Sequence, residues 1–382
     1  MGYFGGRIEG LMRGTYGPVY NYDLISAYPD AIRKMPSLKT ATFEARERLT
    51  EDELNQYEFG LVEVEWKSEV DNPLGVLPFR RDGSDPNSNR NGIIFPNFRV
   101  GGDEYLRGVY HLVEAREALR KTDSDGSPLA DVKLGRAWII TDAKDYPFKK
   151  LEEKMSLRAR LKKEKNPGHK SLKLALNSCF GKQAQKYGAY EFWSAYELMY
   201  AGFITASTRS RLLRYADPHE TIMLTTDGIH SLKPLDCPVG EEVGNWELTK
   251  YETGDFILPG IYKVGSEVKR RGFPRFDFDA VYAEILKTGT FSFSDRRFVN
   301  VRQAIKRVDC KAGFYDGQER KVDWTDANSK REPSTWEDGR SLPRNPSMQR
   351  KSFPAPRFDD ADEEDPRVDP DERDATIDTY LS

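Results

Sequence analysis

Apolar and polar residues alternate through "GLVEVEW" (60–66), the period of a half-buried strand. The run "VYNYDLISAYPDAIRK" reads as a strand over 19–26 and a short helix over 27–35, ended at Pro36. "TIMLTTDGIHSL" (221–232) places Asp-Gly between apolar runs, so two strands joined at a tight turn are expected. "DEYLRGVYHLVEAREALRK" (103–121) reads as helix and "GRAWIITDA" as strand, while 71–103 reads as loop with short strands such as "GIIF". Two helices are expected at 148–165 and 169–185, broken by "NPG" at 166–168, which makes an antiparallel helical hairpin. A long, largely apolar helix is expected over 191–216, and 275–320 reads as mixed and compact.

Composition changes this picture in two places. Residues 357–382 hold eleven Asp and Glu against three Arg, a net of −8, so the formal −3 of the chain hides +5 on the other 356 residues. The acidic tail, taken as 326–382, has little to bury and is expected to lack a packed core. The second place is Lys149 to Lys173, with ten Lys or Arg and three Glu, a surface suited to a polyanion or simply a solvated helix face. On the first helix Lys154, Arg158 and Lys162 share a face; on the second Lys170, Lys173 and Asn177 do. The 382 residues suffice for two or three domains. Cys179, Cys237 and Cys310 stand far apart with no metal spacing, which fits a reducing compartment. No run reaches the roughly 18 apolar residues of a membrane span, and no secretory leader is visible, so a cytoplasmic protein without membrane contact is expected.

The chemistry these parts could support is nucleotide joining. A 3′ hydroxyl attacks an α-phosphate and pyrophosphate leaves, aided by two divalent ions about 4 Å apart. Mg²⁺ takes hard oxygen ligands, often only one or two carboxylates from the protein. Asp23 ends a strand, Asp227 sits at a hairpin tip, and Arg158, Lys162, Lys170 and Lys173 offer cations to a triphosphate. Each also has a plainer role. Asp23 could cap the following helix, Asp227 could form a type I′ turn, and Phe180 could be ordinary core.

The motifs resemble one family. "YDLISAYP", "KLALNSCFGK" (173–182) and "TTDGIHS" (225–231) are similar to motifs A, B and C of family B DNA polymerases. "YFGG" (3–6) resembles the Tyr-x-Gly-Gly element of the protein-primed polymerases of phages, linear plasmids and organelles. "GIYKV" and "KRRGF" resemble the later palm motif and the entry to the thumb. The resemblance implies an α+β right-hand fold with an antiparallel-sheet palm, helical-hairpin fingers and a small thumb. Its divisions fall at 1–147 and 187–274 for palm, 148–186 for fingers and 275–325 for thumb. It implies that Asp23 and Asp227 hold two Mg²⁺ ions (Mn²⁺ as substitute) with the Leu24 carbonyl. Tyr28 would lie under the incoming sugar and select deoxynucleotides; Arg158, Lys162, Lys173 and Asn177 would meet the nucleotide, and Phe180 the nascent pair. Tyr3, Gly5 and Gly6 would guide template, and Tyr262, Lys263, Lys269 and Arg270 would contact DNA.

The sequence departs from the family at three points. Thr225 stands where motif C usually has its first carboxylate, Phe180 where motif B usually has Tyr, and Gly260 where the palm motif usually has Lys. The family's exonuclease domain precedes the Tyr-x-Gly-Gly element on which this chain opens, so a polymerase core without it is expected. Implied partners are template-primer DNA, dNTPs, and a terminal priming protein or a separate exonuclease chain. The short stretch between motifs B and C implies weak strand displacement. The alternatives are a non-catalytic DNA-binding remnant of such a polymerase and an unrelated protein with a basic helical hairpin.

Overall fold

The structure is a computed structural model describing residues 3–68, 72–80, 93–97, 105–184, 186–187, 191–192, 196–270, 276–297, 316–323, 331 and 339–343. Its centre is a five-stranded antiparallel sheet in the order Glu9–Gly10, Thr221–Thr225, Gly228–Ser231, Val19–Leu24, Trp246–Tyr251. Alternation sets the faces. Tyr22 and Leu24 are buried on one face; Asn21 and Asp23 lie on the opposite face, which is covered at Val19 and opens toward Asp23. Ile222, Met223 and Leu224 are wholly buried, so both faces of the hairpin that carries Asp227 are packed, and Thr225 pairs with Gly228 across its tip.

A second, four-stranded sheet is inserted between the first helix and the helical hairpin. Its order is Thr42–Arg46, Ala130–Asp142, Gly60–Ser68, Leu106–His111. Gly60–Ser68 alternates buried and half-buried along its length, with Val62, Val64 and Trp66 inside. A third sheet joins Gly14–Tyr16 to Gly254–Leu258, Ile261–Val264 and Glu267–Arg270. Helices Leu151–Lys163 and Gly168–Gln183 form the expected hairpin. Beneath it Tyr28, Phe148, Leu151, Cys179 and Phe180 pack on a small core of Ala31, Ile32, Met35, Phe203 and Ile204. Helix Phe278–Thr288 starts at Asp277, whose carboxylate accepts from the amides of Asp279 and Ala280, and leads into strand Thr290–Arg297, paired with Asp316–Asp323.

Several expectations are corrected. The helix read over 103–121 begins only at Leu112, because Leu106–His111 is a strand against Gly60–Ser68. Gly108 weakens a helix there, and strand pairing puts Tyr110 in the core. The helix read over 191–216 begins at Leu198, with the Glu197 carboxylate accepting from the Met199 amide; Glu191–Phe192 pairs instead with Lys186–Tyr187. The tail read from 326 is not uniformly free of structure. Arg331 is fully buried, and Gly339–Pro343 runs beside Leu11–Arg13. Residues 344–382, which include the acidic run, lie outside the described residues.

Arg331 closes a buried charge group. Arg7 Nε and Nη2 donate to Glu9 Oε2 at 3.0 and 2.8 Å, and Arg331 Nη1 donates to Glu9 Oε1 at 2.8 Å. Further donors go to the carbonyls of Gly75 and Pro73, each at 2.9 Å, and Arg331 also donates to the hydroxyl and carbonyl of Ser341. One carboxylate thus serves two guanidiniums that water does not reach. Glu9→Ala strands both, so it is expected to lower unfolding free energy by about 3–5 kcal/mol in a denaturant titration. A loss below about 1 kcal/mol would show that the pair does not depend on Glu9.

Candidate active site

Strand Val19–Leu24 delivers Asp23 to the edge of the open face, and the 225–228 turn delivers Asp227 beside it. The Leu24 amide donates to the Asp227 carbonyl at 2.7 Å, and Gly228 pairs directly with Asp23. A Cβ on Gly228 would lie 2.7 Å from Asp23 Oδ1 and 2.7 Å from Thr225 Oγ1. A side chain there would collide with the carboxylate, so glycine is required by contact rather than by φ. Indeed no residue of 225–228 has positive φ, so the turn is not type I′ and Asp227 is not there to form one. Asp23 caps nothing either: the first-helix N-cap position is Ser26, and no side chain caps it. Both plainer roles are gone.

Burial pushes the Asp23 carboxyl above its ordinary range, and the nearby carboxylates Asp227 and Glu247 push it further. A hydrogen bond of 2.9 Å from Asn21 Nδ2, and the charge of Lys269, hold it back in part. Asn21 is missed by motif reading, although it shares the face of Asp23 two residues earlier in the strand. Glu247 is missed too. It sits directly opposite Asp23 on Trp246–Tyr251 and lies 3.6 Å from Lys162 of the helical hairpin.

Tyr28 meets Phe180 with ring centroids 4.7 Å apart. Lys173, Asn177 and Phe180 recur at helical spacing, so Lys173 and Asn177, both exposed, continue the stripe that ends at Tyr28. Arg158 Nη1 donates to Ser26 Oγ at 2.7 Å, while its buried Nε has no partner among the described residues. Burial lowers the pKa of this arginine. Ser26 holds φ 54°, a left-handed conformation that costs a non-glycine residue on the order of 1 kcal/mol and that turns the chain sharply between Asp23 and Tyr28.

The Tyr3–Gly6 segment lies against the same site. A Cβ on Gly6 would come within 2.8 Å of Thr226 Cγ2 and 3.2 Å of the Tyr28 hydroxyl, whereas one on Gly5 would meet only Ile93 at 3.8 Å. Gly6 alone of the pair is sterically required. Tyr262 meets His230 edge-on, centroids 4.7 Å apart, and burial first, then Asp23, raises its hydroxyl pKa. His230 Nδ1 is buried without a partner among the described residues, and burial pulls its pKa down to about 3, so it is neutral. Lys269 pairs with Tyr262 across the strands and acts on Asp23, whereas Lys263 faces away and binds Asp279 at 2.6 Å. The Arg270 guanidinium sits 5.3 Å from the centre of the Phe276 ring.

Among the described residues no three His, Cys, Asp or Glu side chains gather about one point. Asp227 lies near enough to Asp23 to raise its pKa, the bare Gly228 leaves Asp23 Oδ1 clear, and such a donor set suits Mg²⁺, which needs only one or two protein carboxylates.

An antiparallel sheet carrying two carboxylates at one end, with a helical hairpin beside it, is the right-hand polymerase fold. Phi29 DNA polymerase in an orthorhombic crystal form superposes with a TM-score of 0.54 at 15% identity, over 84% of this chain and 61% of that one. Phi29 DNA polymerase complexed with primer-template DNA and incoming nucleotide substrates gives 0.54 at 16%, over 83% and 60%. Residues 1–118 match the family described as DNA polymerase type B, organellar and viral, and the chain is related to that family. The DNA polymerase of Acidianus bottle-shaped virus (isolate Italy/Pozzuoli) is 25% identical over 265 residues, 68% of this chain and 37% of the viral protein. The chain therefore spans less than two thirds of the length of these relatives.

The raised Asp23 carboxyl makes a stability prediction. Its folded value exceeds the ordinary 3.8, so the folded state holds this proton more tightly than the unfolded state. Ionised Asp23 therefore subtracts stability as pH rises from 3.8 through the folded value. Asp23→Asn is expected to melt higher than wild type at neutral pH in EDTA, with the gap closing below the unperturbed 3.8. An equal or lower melting temperature at neutral pH would contradict the strained carboxylate.

Proposed function

We propose that this protein is a template-directed DNA polymerase that adds deoxynucleotides to a 3′ hydroxyl in viral or plasmid DNA replication. One observation carries the reading: the Leu24 amide bonded to the Asp227 carbonyl sets Asp23 and Asp227 beside each other at one end of the sheet, where Asp23 caps no helix and the Asp227 turn is not type I′. Divergent likeness in sequence and fold to polymerases, one of them solved with primer-template DNA and incoming nucleotides, supports it.

In this reading Asp23, Asp227 and the Leu24 carbonyl would hold two Mg²⁺ ions, which would supply activation of the attacking oxygen and neutralisation of the leaving phosphates. The raised Asp23 carboxyl reflects burial first, then the carboxylates Asp227 and Glu247 set near it before any cation arrives. The Arg158 guanidinium, with one donor still open, and the exposed Lys162 and Lys173 take triphosphate oxygens; Asn177 lies beside them. Tyr28, propped by Phe180, forms the floor beneath the sugar, where a 2′ hydroxyl would collide. Tyr3, Gly5 and Gly6 take template, and Tyr262, Lys269 and Arg270 take primer; Lys263, bound to Asp279, instead ties the palm to the following helix. Palm, fingers and thumb are assigned to 1–147 with 187–274, 148–186 and 275–325. The partners are template-primer DNA and dNTPs, with a terminal priming protein or a separate exonuclease chain. The site of action is the host cytoplasm, and among the described residues no helix is long and apolar enough to cross a membrane.

Primer extension with Mg²⁺ and dNTPs tests the reading. Asp23→Ala and Asp227→Ala are each expected to cut incorporation by about a thousandfold or more, because the anchors of charge neutralisation are gone. Incorporation equal to wild type in both would sink the two-ion assignment, and none in the wild type would favour a DNA-binding remnant. Tyr28→Ala is expected to narrow the preference for dNTP over rNTP by about tenfold to a hundredfold, the scale of one steric contact in a pocket. Unchanged selectivity would remove Tyr28 from the sugar site.

A further inference from the structure

Three consecutive carbonyls of the segment that precedes the first strands are held by side chains, not by a sheet partner. Arg80 Nη2 donates to the Tyr3 carbonyl at 2.8 Å. Arg209 Nη1 donates to the carbonyls of Phe4 and Gly5, each at 2.6 Å. Thr205 Oγ lies 2.6 Å from the Phe4 carbonyl, nearer than the two carbonyls of its own helix that it also faces. The other edge of Arg209 is filled by Glu114, with Nε to Oε1 at 2.7 Å and Nη2 to Oε2 at 2.8 Å. Arg209 and Glu114 are each about 97% buried, at 3% relative exposure. The Phe4 ring completes the anchor, stacked on Tyr110 at 5.6 Å and 7°.

Two consequences follow from this arrangement. A guanidinium is a planar fork of donors, and here one side of the fork is fixed by a carboxylate while the other fixes a backbone. The anchored carbonyls are drawn into the protein, and no amide of residues 3–6 donates to an acceptor among the described residues. Backbone amides of this kind, without an acceptor among the described residues, suit phosphate oxygens. The segment's far end, Gly6, abuts Thr226 and the Tyr28 hydroxyl, so a shift of the segment would reach both the 225–228 turn and the sugar floor.

We propose that Arg209, braced by Glu114 and assisted by Thr205, is a positioning residue that sets the Tyr3–Gly6 segment to receive the single-stranded template. This rests on the polymerase reading above. Arg209 touches no substrate; it acts through the backbone it holds. A lysine keeps the charge and loses the fork, so it cannot reach Glu114 and two carbonyls at once.

The test uses the full chain with Arg209→Lys and Thr205→Val. Binding is measured by anisotropy on a blunt duplex and on a duplex with a template overhang of about six nucleotides, within the range that single-strand sites cover. Arg209→Lys is expected to weaken overhang binding about tenfold, and Thr205→Val about threefold, as for lost charged and neutral hydrogen bonds. Blunt-duplex binding is expected to stay within about twofold, because a blunt end offers the segment no single strand to receive. Equal weakening on both duplexes, or none on the overhang, would overturn the proposal; the first outcome marks a merely structural role. If Arg209→Lys does not fold, Thr205→Val decides alone on the same criterion. Failure of the wild type to incorporate nucleotide would fall on the polymerase reading, while the overhang-selective loss of binding still judges the role of Arg209.

Discussion

The pairing of strand Val19–Leu24 with strand Gly228–Ser231 is the contact on which the rest of the structure depends. It sets Asp23 opposite Gly228 and ties the Leu24 amide to the Asp227 carbonyl. A slip of one residue would turn every side chain of the strand to the other face, sending Asp23 inward and Tyr22 outward. The buried Tyr22, Leu24, Ile229 and Leu224 oppose that slip, so ordinary hydrophobic burial holds two mutually repelling carboxylates in place.

Around that pair the fold assembles what, in the proposed function, a triphosphate and a template strand would need. The helical hairpin brings cations from one side, joined to the sheet through the Tyr28–Phe180 contact and the small core below it. The Tyr3–Gly6 segment arrives from the other side, anchored by Arg209 and stopped against Thr226. Strained and unsatisfied groups collect here. Ser26 is left-handed, Arg158 Nε and His230 Nδ1 lack partners among the described residues, and Asp23 titrates high. Such costs are tolerated where structure is arranged for a ligand rather than for stability alone.

Much of this was legible in the sequence, and the limits have physical causes. The strand ending at Asp23, the Asp-Gly hairpin and the paired helices each follow from local periodicity and turn chemistry, which act over a few residues. The right-hand fold came from motif order, and the structural likeness agrees with it. What escaped was decided across the chain. Leu106–His111 is a strand because it finds Gly60–Ser68, and Arg331 is buried because Glu9 lies far away in sequence and near in space. Glu247 and Arg209 carry no motif. Their importance lies in which backbone or carboxylate they face, and no spacing along the chain reveals that. Asn21 was within reach, since residues two apart in a strand share a face.

The central claim is that Asp23 and Asp227 together hold a pair of divalent ions at bonding distance from one nucleotide. Electron paramagnetic resonance of the protein loaded with Mn²⁺, primer-template DNA and a non-hydrolysable dNTP addresses this most directly. The account predicts a spin-coupled pair of ions about 4 Å apart, lost in Asp227→Ala. Isolated Mn²⁺ with no coupled partner in the wild type, or a coupled pair that survives in Asp227→Ala, would contradict it.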